Sequence, residues 1–468
     1  MHDLEPEPTA APPARERLPR RVKALYGLGD HTINLSLSSL AFFFGYFLTE
    51  VAGVRPALAG LIPLIGRAVD AVSDPLMGRL SDATPWKAGR RRPFFLIGMI
   101  PFGAAFAALW WNVPAEDPLA RFLYYAGAYV VFSLSSTVIA VPYLSLVPEL
   151  TASYHERTSI NAWRATFAIL GTLLAVTTLR TLAEGPVASA LGGRAQGYAG
   201  TGLLFGLWMM WPWLVVHRVT WERPELHRPA KEGFLQGVIS LARHPAYRSL
   251  VGLFILGRIA IDLSTAMFIF YFSFWLGRPD DFEITMGLFL VCVVAAFPVW
   301  TRVAAHRDKR TIFLFGAAWW VGSQVFLMLA QPEWPRVAIF FGAALAGVGY
   351  AAADMIPWSM LGEVVDEDEL RSGERREGIY FGFFTFLRKL GGAVGVALAF
   401  LVLDLVGFER GGGEQDATVL LAIRSLTAGA PAVFVLLAAW VALTYPIGRA
   451  RHDEILRALE ARRRGEGA

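Results

Sequence analysis

Two aspartates four residues apart lie within an apolar segment near the start of the chain. Asp70 and Asp74 belong to the run Gly66-Arg67-Ala68-Val69-Asp70-Ala71-Val72-Ser73-Asp74-Pro75. On a helix, residues with this spacing share one face, about a turn apart. The surrounding segment, Pro56 to Leu80, is long and apolar enough to span a bilayer, where ionised carboxylates are costly. Two such acids repel each other, so the pair predicts a site that shares a cation or a proton.

The identity of the shared ion stays open between two candidates. Two carboxylates with hydroxyl neighbours suit a small hard cation such as Na+, whereas a carboxylate pair near a lysine also suits a proton. A structural alternative is that Arg67 or Lys389 neutralises the acids and that the cluster serves packing alone. Beyond the coupling ion, Na+ or H+, the sequence predicts no cofactor.

The composition places this pair in a membrane protein with many spans. The chain is 55% apolar and 18% charged, and its mean hydropathy of +0.45 is too high for a soluble protein of this length. Apolar runs long enough to cross a bilayer recur about twelve times along the chain. The predicted spans are 24–51, 56–81, 93–112, 120–148, 157–183, 198–217, 247–276, 283–303, 311–330, 336–362, 378–406 and 418–447.

A polar insert divides these spans into two equal groups. Thr220 to Pro245 is the longest polar connection, and it has six spans on each side. A weak repeat supports the division, since Pro142 to Glu149 ends the fourth span and Pro357 to Glu363 ends the tenth. The predicted fold is therefore an all-α major facilitator fold of two six-helix halves. The domains are a disordered tail 1–22, a half 23–219, a linker 220–245, a half 246–448 and a tail 449–468.

The charges of the connecting loops predict the orientation of the chain. Clusters of Lys and Arg alternate with loops that carry mostly single cations, and both chain ends fall on the basic side. The positive-inside rule therefore places both termini in the cytoplasm, and we expect a multi-pass protein of the plasma (inner) membrane. On the other side, the Gly- and Ala-rich insert Glu184 to Gly200 predicts a mobile loop.

Several charged side chains of different helices converge at one depth. Asp70, Thr137 and Lys389 each lie roughly twelve residues from the cytoplasmic end of a span, which corresponds to about 18 Å of helix. Arg258 and Asp262, at i and i+4, also have the simpler interpretation of a self-satisfied bridge on one helix. The predicted solute-binding residues are Asn34, Arg164, Arg258, Asp262, Asp354 and Trp358.

The loop after the second span predicts a gate. Gly78 allows close helix approach, and Asp82 with Arg90 and Arg91 forms a charge latch that breaks when the halves move. Positive-inside anchoring explains the arginines alone, but it does not explain the Gly-x-x-x-Asp spacing. The acidic loop Glu363 to Glu377 lacks the spacing of a metal site and is predicted to be a second, solvated gate.

The chain resembles the glycoside-pentoside-hexuronide:cation symporters, the group of the melibiose carrier within the major facilitator superfamily. The resemblance covers nearly the whole membrane region. It is carried by Tyr26-Gly27-Leu28-Gly29-Asp30, by Asp70-Ala71-Val72-Ser73-Asp74-Pro75, by Val141-Pro142-Tyr143-Leu144-Ser145-Leu146-Val147-Pro148, by Glu156-Arg157 with Arg164, and by Gly373-Glu374-Arg375-Arg376-Glu377-Gly378 before Lys389.

The resemblance implies a role for each matching residue. Asp70 and Asp74 match the cation carboxylates of these symporters, and Arg164 matches the arginine that closes the pocket toward the cytoplasm. The remaining cation-site positions are matched by Ser73, Thr137, Thr385 and Lys389.

The departures from the family pattern concern the solute. Asn34 and Ala140 stand where the melibiose carrier has its two sugar-binding aspartates, and Leu144 replaces a neighbouring aromatic residue. The residues that match the cation site are retained, whereas those that match the galactoside site are replaced. Other sugars or uronides therefore stay open, and so does an amphiphile, because eukaryotic relatives in this family include lysolipid carriers.

The predicted function is cation-coupled symport of a sugar or glycoside-like small solute by alternating access. The alternatives are a cation-coupled lysolipid carrier and an uncoupled facilitator. An enzyme is not expected, because the histidines are scattered singly along the chain. A non-transporting sensor is not expected either, since it would not need buried charges at one depth. The expected partners are the solute and the lipid bilayer, with no nucleic acid, and the protein is expected to be a monomer.

Overall fold

The computed structural model describes residues 18–84, 86, 89–151, 153–222, 241, 244–373 and 376–463. This part of the chain consists of helices and short connections. Ten of the helices are long and apolar enough to cross a membrane. Two further segments complete the twelve predicted spans: the N-terminal helix with its π-helical extensions, and Pro93–Leu109, an apolar helix of 17 residues.

Six spanning helices form the N-terminal half. In it α1 packs against α5, α2 against α4, and α3 against both α4 and α6. These helices are Arg20–Ser39 (α1, extended by π-helical turns at Leu40–Phe44 and Phe47–Val51), Pro56–Ala83 (α2), Pro93–Leu109 (α3), Pro118–Leu150 (α4), Tyr154–Glu184 (α5) and Arg194–Val219 (α6).

The C-terminal half repeats this arrangement. Here α7 packs against α11 and α12, and α10 packs against α8 and α9. The helices are Pro245–Phe270 (α7, extended by a π-helical turn at Tyr271–Trp275), Phe282–His306 (α8), Lys309–Leu329 (α9), Arg336–Ser372 (α10), Glu377–Leu405 (α11), and Ala417–Arg424 with Ala430–Ala442 (α12, joined by a π-helical turn at Ser425–Gly429). The terminal helix Arg449–Arg463 follows.

The helix starts follow from local sequence chemistry. At the start of α4, the Asp117 carboxylate accepts the backbone N–H groups of Leu119 and Ala120, at 3.3 and 3.0 Å. Pro118 occupies the first turn, where a backbone N–H has no partner within the helix. Asp308 caps α9 in the same way by accepting the N–H of Arg310 at 2.9 Å. These caps explain why the predicted spans start close to the observed helices.

The tenth span differs from its prediction by about three helical turns. We expected it to end at residue 362 and to be followed by a solvated acidic loop, but α10 continues to Ser372. Glu363 and Asp368 are buried, and they form ion pairs with Lys309 at 3.0 Å and with Arg376 at 2.6 Å. The acids therefore pack inside the half because paired cations balance their charge.

The insert after α5 is helical, not the mobile loop that its composition predicted. It forms a short helix, Pro186–Leu191, before α6 begins. The Glu184 carboxylate holds the insert by pairing with Arg180 at 3.1 Å and Arg194 at 2.6 Å, and it accepts the Tyr198 hydroxyl at 3.0 Å. Residues 1–17 of the predicted disordered tail, 223–240 of the linker and 464–468 of the C-terminal tail lie outside the described residues. The predicted tail ends too late, because α1 already begins at Arg20.

The two halves touch on the side of the molecule opposite to the chain ends, which we call the loop face. Arg180 of α5 pairs with Glu283 of α8 at 2.7 Å, and Asp404 of α11 pairs at 3.0 Å with Arg55, which precedes α2. Arg410 donates to the carbonyl of Gly53 at 2.7 Å. On the side of the chain ends, the terminal face, the ion pairs of the described residues join elements of the same half. The structure is therefore closed on the loop face.

Candidate cation site and solute cavity

Asp70 and Asp74 lie at the interface of the two halves, where α2 packs against α11. Lys389 of α11 bridges them: its ammonium nitrogen is 2.8 Å from Asp74 Oδ2 and 3.7 Å from Asp70 Oδ2. Asp70 is buried, whereas the side chain of Asp74 is one-third exposed. The lysine thus joins the two halves through the acid pair.

Each acid also has partners within the N-terminal half. Asp70 pairs with Arg67 at 2.9 Å on its own helix, and its second oxygen accepts the hydroxyl of Ser133 on α4. Asp74 accepts the Thr137 hydroxyl at 2.7 Å, and Ser73 lies 3.3 Å from the same hydroxyl. The acids are therefore surrounded by hydroxyl oxygens of α2 and α4 and by two cations.

Ser133 was not among the predicted site residues, although the sequence carries a signal for it. It stands four residues before Thr137 in the polar run Ser133-Leu134-Ser135-Ser136-Thr137, so both hydroxyls share one face of α4. Thr385, in contrast, was predicted for this site but makes no hydrogen bond to either carboxylate among the described contacts.

Small residues and a proline allow α2 to present these acids. A Cβ on Gly60 would lie 3.0 Å from the backbone of Ala397 on α11, which is too close for an ordinary contact. Gly66 exposes its carbonyl to the Ser133 hydroxyl at 3.2 Å. Pro75, inside the helix directly after Asp74, lacks the N–H that would bond to Ala71. The local sequence therefore brings α2 close to both α4 and α11.

The oxygen atoms gathered here fit a hard monovalent cation. Carboxylate and hydroxyl oxygens are the ligands that such ions prefer, and Asp70, Asp74, Thr137 and Ser133 supply them. Arg67 and Lys389 balance the two negative charges, so a cation that enters must compete with Lys389 for Asp74. The geometry therefore supports exchange between the lysine ammonium and a small cation or proton.

A cavity of about 390 Å³ lies between the halves beside this site. Its polar lining includes Asn34, Arg67, Arg258, Asp262 and Lys389. Apolar and aromatic side chains form much of the remaining wall, among them Phe42, Phe268, Phe289, Leu290, Trp320 and Val396.

The predicted solute residues of the C-terminal half divide between this cavity and its surroundings. Arg258 and Asp262 form a bidentate ion pair along α7 and both line the cavity. Asp354 lines a smaller neighbouring cavity together with Arg258. Trp358 lies among Phe254 and Phe384 in the core of this half, with ring centroids 5.4 and 5.2 Å away.

In the N-terminal half, Arg164 forms an ion pair that the sequence analysis missed. Its guanidinium binds Asp30 on α1 at 2.6 and 3.2 Å, and the Tyr143 hydroxyl donates to the same carboxylate at 2.6 Å. Arg164 also lies over the Tyr143 ring, 5.2 Å from its centroid. Asn34 donates its amide N–H to the carbonyl of Asp30 at 2.8 Å. The Asp30 carboxylate was visible as part of the Tyr26–Asp30 motif, but its partner was not.

The predicted gate residues form a cluster within the N-terminal half. Arg91 binds Asp82 through two nitrogens, at 2.5 and 3.1 Å, and reaches Glu149 of α4 at 2.6 Å. Arg90 pairs with the same glutamate. Gly78 does not support close helix approach, because a Cβ there would meet only Val141, at 3.9 Å.

A further residue of this cluster was missed. Glu222 accepts the backbone N–H groups of Arg90, Arg91 and Arg92, each at 2.9 Å. It thereby ties the chain after α6 to the start of α3, where unpaired N–H groups favour a carboxylate.

Two six-helix halves around a central cavity with buried charges define a secondary transporter. Residues 25–449 match the family described as MFS/sugar transport protein. The chain belongs to this family, and it is a multi-pass integral membrane protein whose predicted major facilitator fold is confirmed.

Known relatives and solved structures agree with this assignment. The "Uncharacterized symporter sll1374" of Synechocystis is 31% identical, over 96% of this chain and 98% of that protein. The "Sodium-dependent lysophosphatidylcholine symporter 1-A" of Danio rerio is 26% identical, over 92% and 86%. Among solved structures, a bacterial homologue of the human drug peptide transporters PepT1 and PepT2 has a TM-score of 0.64 at 12% identity, covering 96% of this chain and 100% of that one.

Proposed function

We propose that this protein is a cation-coupled symporter of the glycoside-pentoside-hexuronide:cation group, with Asp70 and Asp74 as the cation carboxylates. The single observation that carries the proposal is the bridge from Lys389 of one half to the acid pair of the other half, at 2.8 and 3.7 Å. A cation that competes for these oxygens changes a contact between the halves, so its binding is linked to their relative movement.

The mechanism follows from charge balance at the interface. In the present state Lys389 neutralises Asp74 and Arg67 neutralises Asp70. A Na+ or a proton at the acid pair releases the lysine ammonium, which lines the cavity and is then free to bind an oxygen of the solute. Cation and solute therefore favour each other's binding, and we expect the halves to rearrange when both are bound.

We propose Na+ as the coupling ion ahead of H+. The oxygens around Asp70, Asp74 and Thr137 suit a hard cation, and relatives of this chain are named sodium-dependent symporters.

The proposed solute is a sugar or a glycoside-like small molecule, in keeping with the family description. Asn34, Arg258 and Asp262 line the cavity and offer hydrogen-bonding partners for hydroxyl groups. A lysolipid is the second candidate. The apolar wall formed by residues such as Phe268, Phe289 and Leu290 suits an acyl chain, and several relatives are named lysophosphatidylcholine symporters.

Thermal stability of the purified protein tests the proposal. Sugars, uronides and lysolipids are screened in NaCl and in choline chloride at equal ionic strength. We expect one solute class to raise the melting temperature more in Na+, and Na+ to stabilise more when that solute is present, because linkage is reciprocal. A solute that stabilises equally in both salts and at every pH identifies an uncoupled facilitator and rejects the proposal.

The remaining parts of the proposal concern location and assembly. We propose that the protein acts as a monomer in the plasma (inner) membrane with both ends in the cytoplasm, in keeping with its loop charges. On that orientation the loop face is external, and the structure corresponds to a state closed to the outside.

A further inference from the structure

Arg388, which directly precedes Lys389 on α11, differs from the other basic side chains of the cavity wall. Arg67, Arg258 and Lys389 each pair with an aspartate. Arg388 lines the same cavity, but among the described residues it has no ion pair and donates no hydrogen bond. Its Nε is buried and has no acceptor.

Arg388 is partly exposed to the cavity, and among its nitrogens only Nε is buried without an acceptor. The guanidinium stays charged, and it carries five N–H donors that are satisfied in pairs by carboxylate or phosphate oxygens. A buried polar group without a partner is destabilising, and more so in the interior of a membrane. The guanidinium of Arg388 is therefore available to an anionic oxygen group that enters the cavity.

Two acids of the same half lie near Arg388. Asp262, which lies against Gly392 one turn after Arg388, is already paired with Arg258. The other acid offers an internal explanation. Asp354 on α10 lies near Arg388 and Arg258, and no ion pair of Asp354 is found among the described residues. It lines the smaller cavity, whereas Arg388 lines the large one between the halves. A pair between Arg388 and Asp354 in another conformation is therefore the structural competitor, and the experiment separates the two.

We propose that Arg388 is a specificity-determining residue that binds an acidic group of the solute, so that the transported molecule carries a carboxylate or a phosphate. This inference rests on the proposed symport function and narrows its solute class. Lys389 lines the same cavity, so a cation that releases it from Asp74 leaves a second positive charge in the cavity wall. The acidic group binds Arg388 through two oxygens, and the released ammonium adds favourable charge to the same cavity.

Matched ligand pairs test this assignment on the purified protein in detergent. Methyl glucuronide is compared with methyl glucoside, and lysophosphatidic acid with monoacylglycerol, by isothermal titration in NaCl. We expect one acidic member to bind the wild type and its neutral partner to bind at least about tenfold more weakly, the loss typical of one charge-assisted contact. The pair that responds distinguishes a sugar acid from a lipid phosphate.

The variant Arg388→Gln should remove that preference. We expect at least about tenfold weaker binding of the acidic member and little change for the neutral one, with partial recovery in Arg388→Lys. Arg248→Gln, at an exposed position on α7, is the matched control and should bind as the wild type does. Retained stabilisation by NaCl shows that the variants are folded and that the cation site is intact.

Three other outcomes would each contradict one of the two proposals. If Na+ stabilises the wild type but no acidic probe binds better than its neutral partner, the assignment of Arg388 is overturned and symport of a neutral solute stands. If Asp354→Asn restores binding in Arg388→Gln, the arginine serves the internal pair and the assignment is again overturned. If neither Na+ nor a change of pH alters solute binding to the wild type, the proposed symport function fails independently of Arg388.

Discussion

Two charged clusters at similar depth in the membrane are built in different ways. Arg258 and Asp262 stand one turn apart on α7 and satisfy each other within a single helix. Asp70 and Asp74 stand equally far apart on α2, but their charge is shared with Lys389 of the other half. The first cluster survives any rigid-body movement of the halves, whereas the second must change when they separate. Spacing alone does not distinguish a static pair from a coupled one.

The other ion pairs of the molecule follow the same division. Arg164 with Asp30, and Arg91 with Asp82, lie inside the N-terminal half. Arg180 with Glu283 crosses between the halves on the loop face. We therefore expect mutations in pairs within a half to affect stability, and mutations in pairs between halves to affect transport.

The largest effect is expected for Asp74→Asn. It removes the carboxylate that both Lys389 and Thr137 contact, so Na+-driven uptake into proteoliposomes should fall by at least about 100-fold. Asp453→Asn, exposed on the terminal helix, is the matched control and should transport normally. Undiminished uptake by a folded Asp74→Asn protein would reject the cation site.

The second prediction compares the cluster around Lys389 with the pair formed by Arg258 and Asp262. Lys389→Ala should weaken the dependence of uptake on Na+ by about tenfold, whereas Arg258→Ala should leave that dependence nearly unchanged, because only Lys389 bridges the halves. Both are read as uptake rate against Na+ concentration. The reverse order of effects would mean that the coupling site has been misplaced.

A smaller effect is expected from the loop-face pair. Glu283→Gln weakens the contact with Arg180 and should favour opening on that face by about threefold to tenfold, the range for one partly buried ion pair. Accessibility of a cysteine introduced in the cavity to an impermeant reagent, added on the loop face, measures the shift. Glu283→Arg, which places two like charges together, should favour opening further. Labelling of both variants equal to that of the wild type would contradict a gating role.

The smallest effect concerns a residue predicted for the gate. Gly78→Ala should change uptake by less than about twofold, because the new methyl group has room beside Val141 and alanine favours a helix. Asp82→Asn, which weakens a contact of Arg91 within the N-terminal half, should lower the melting temperature of the protein rather than its uptake. A severe loss of uptake in Gly78→Ala would show that α2 packs closely at this point in another conformation.

Much of the architecture was predictable because it depends on short stretches of sequence. The twelve apolar runs predicted the spans, and the structure adds capping residues such as Asp117 and Asp308 just before their starts. The prediction of a loop after the tenth span failed, because ion pairs with distant parts of the chain stabilise a helix there. Glu363 and Asp368 became part of a helix through Lys309 and Arg376, which no local pattern reveals.

Part of the candidate site was also predictable from short stretches of sequence. Helical spacing placed Asp70 and Asp74 on one face, and counting residues placed Thr137 and Lys389 at their depth. Ser133 was missed, although its spacing from Thr137 is a readable signal. Arg388 gave no signal, because an arginine beside a lysine in a sequence does not show which of them has a partner.

The sequence by itself determined the number of spans, the division into halves and the faces on which charged residues stand. These properties follow from the length, hydropathy and helical period of contiguous segments. Only the tertiary structure decided which charges pair within a half, which pair across the interface and which stay unpaired. Pairing depends on distances between helices that are far apart along the chain, and electrostatic energies in the membrane interior change steeply with those distances.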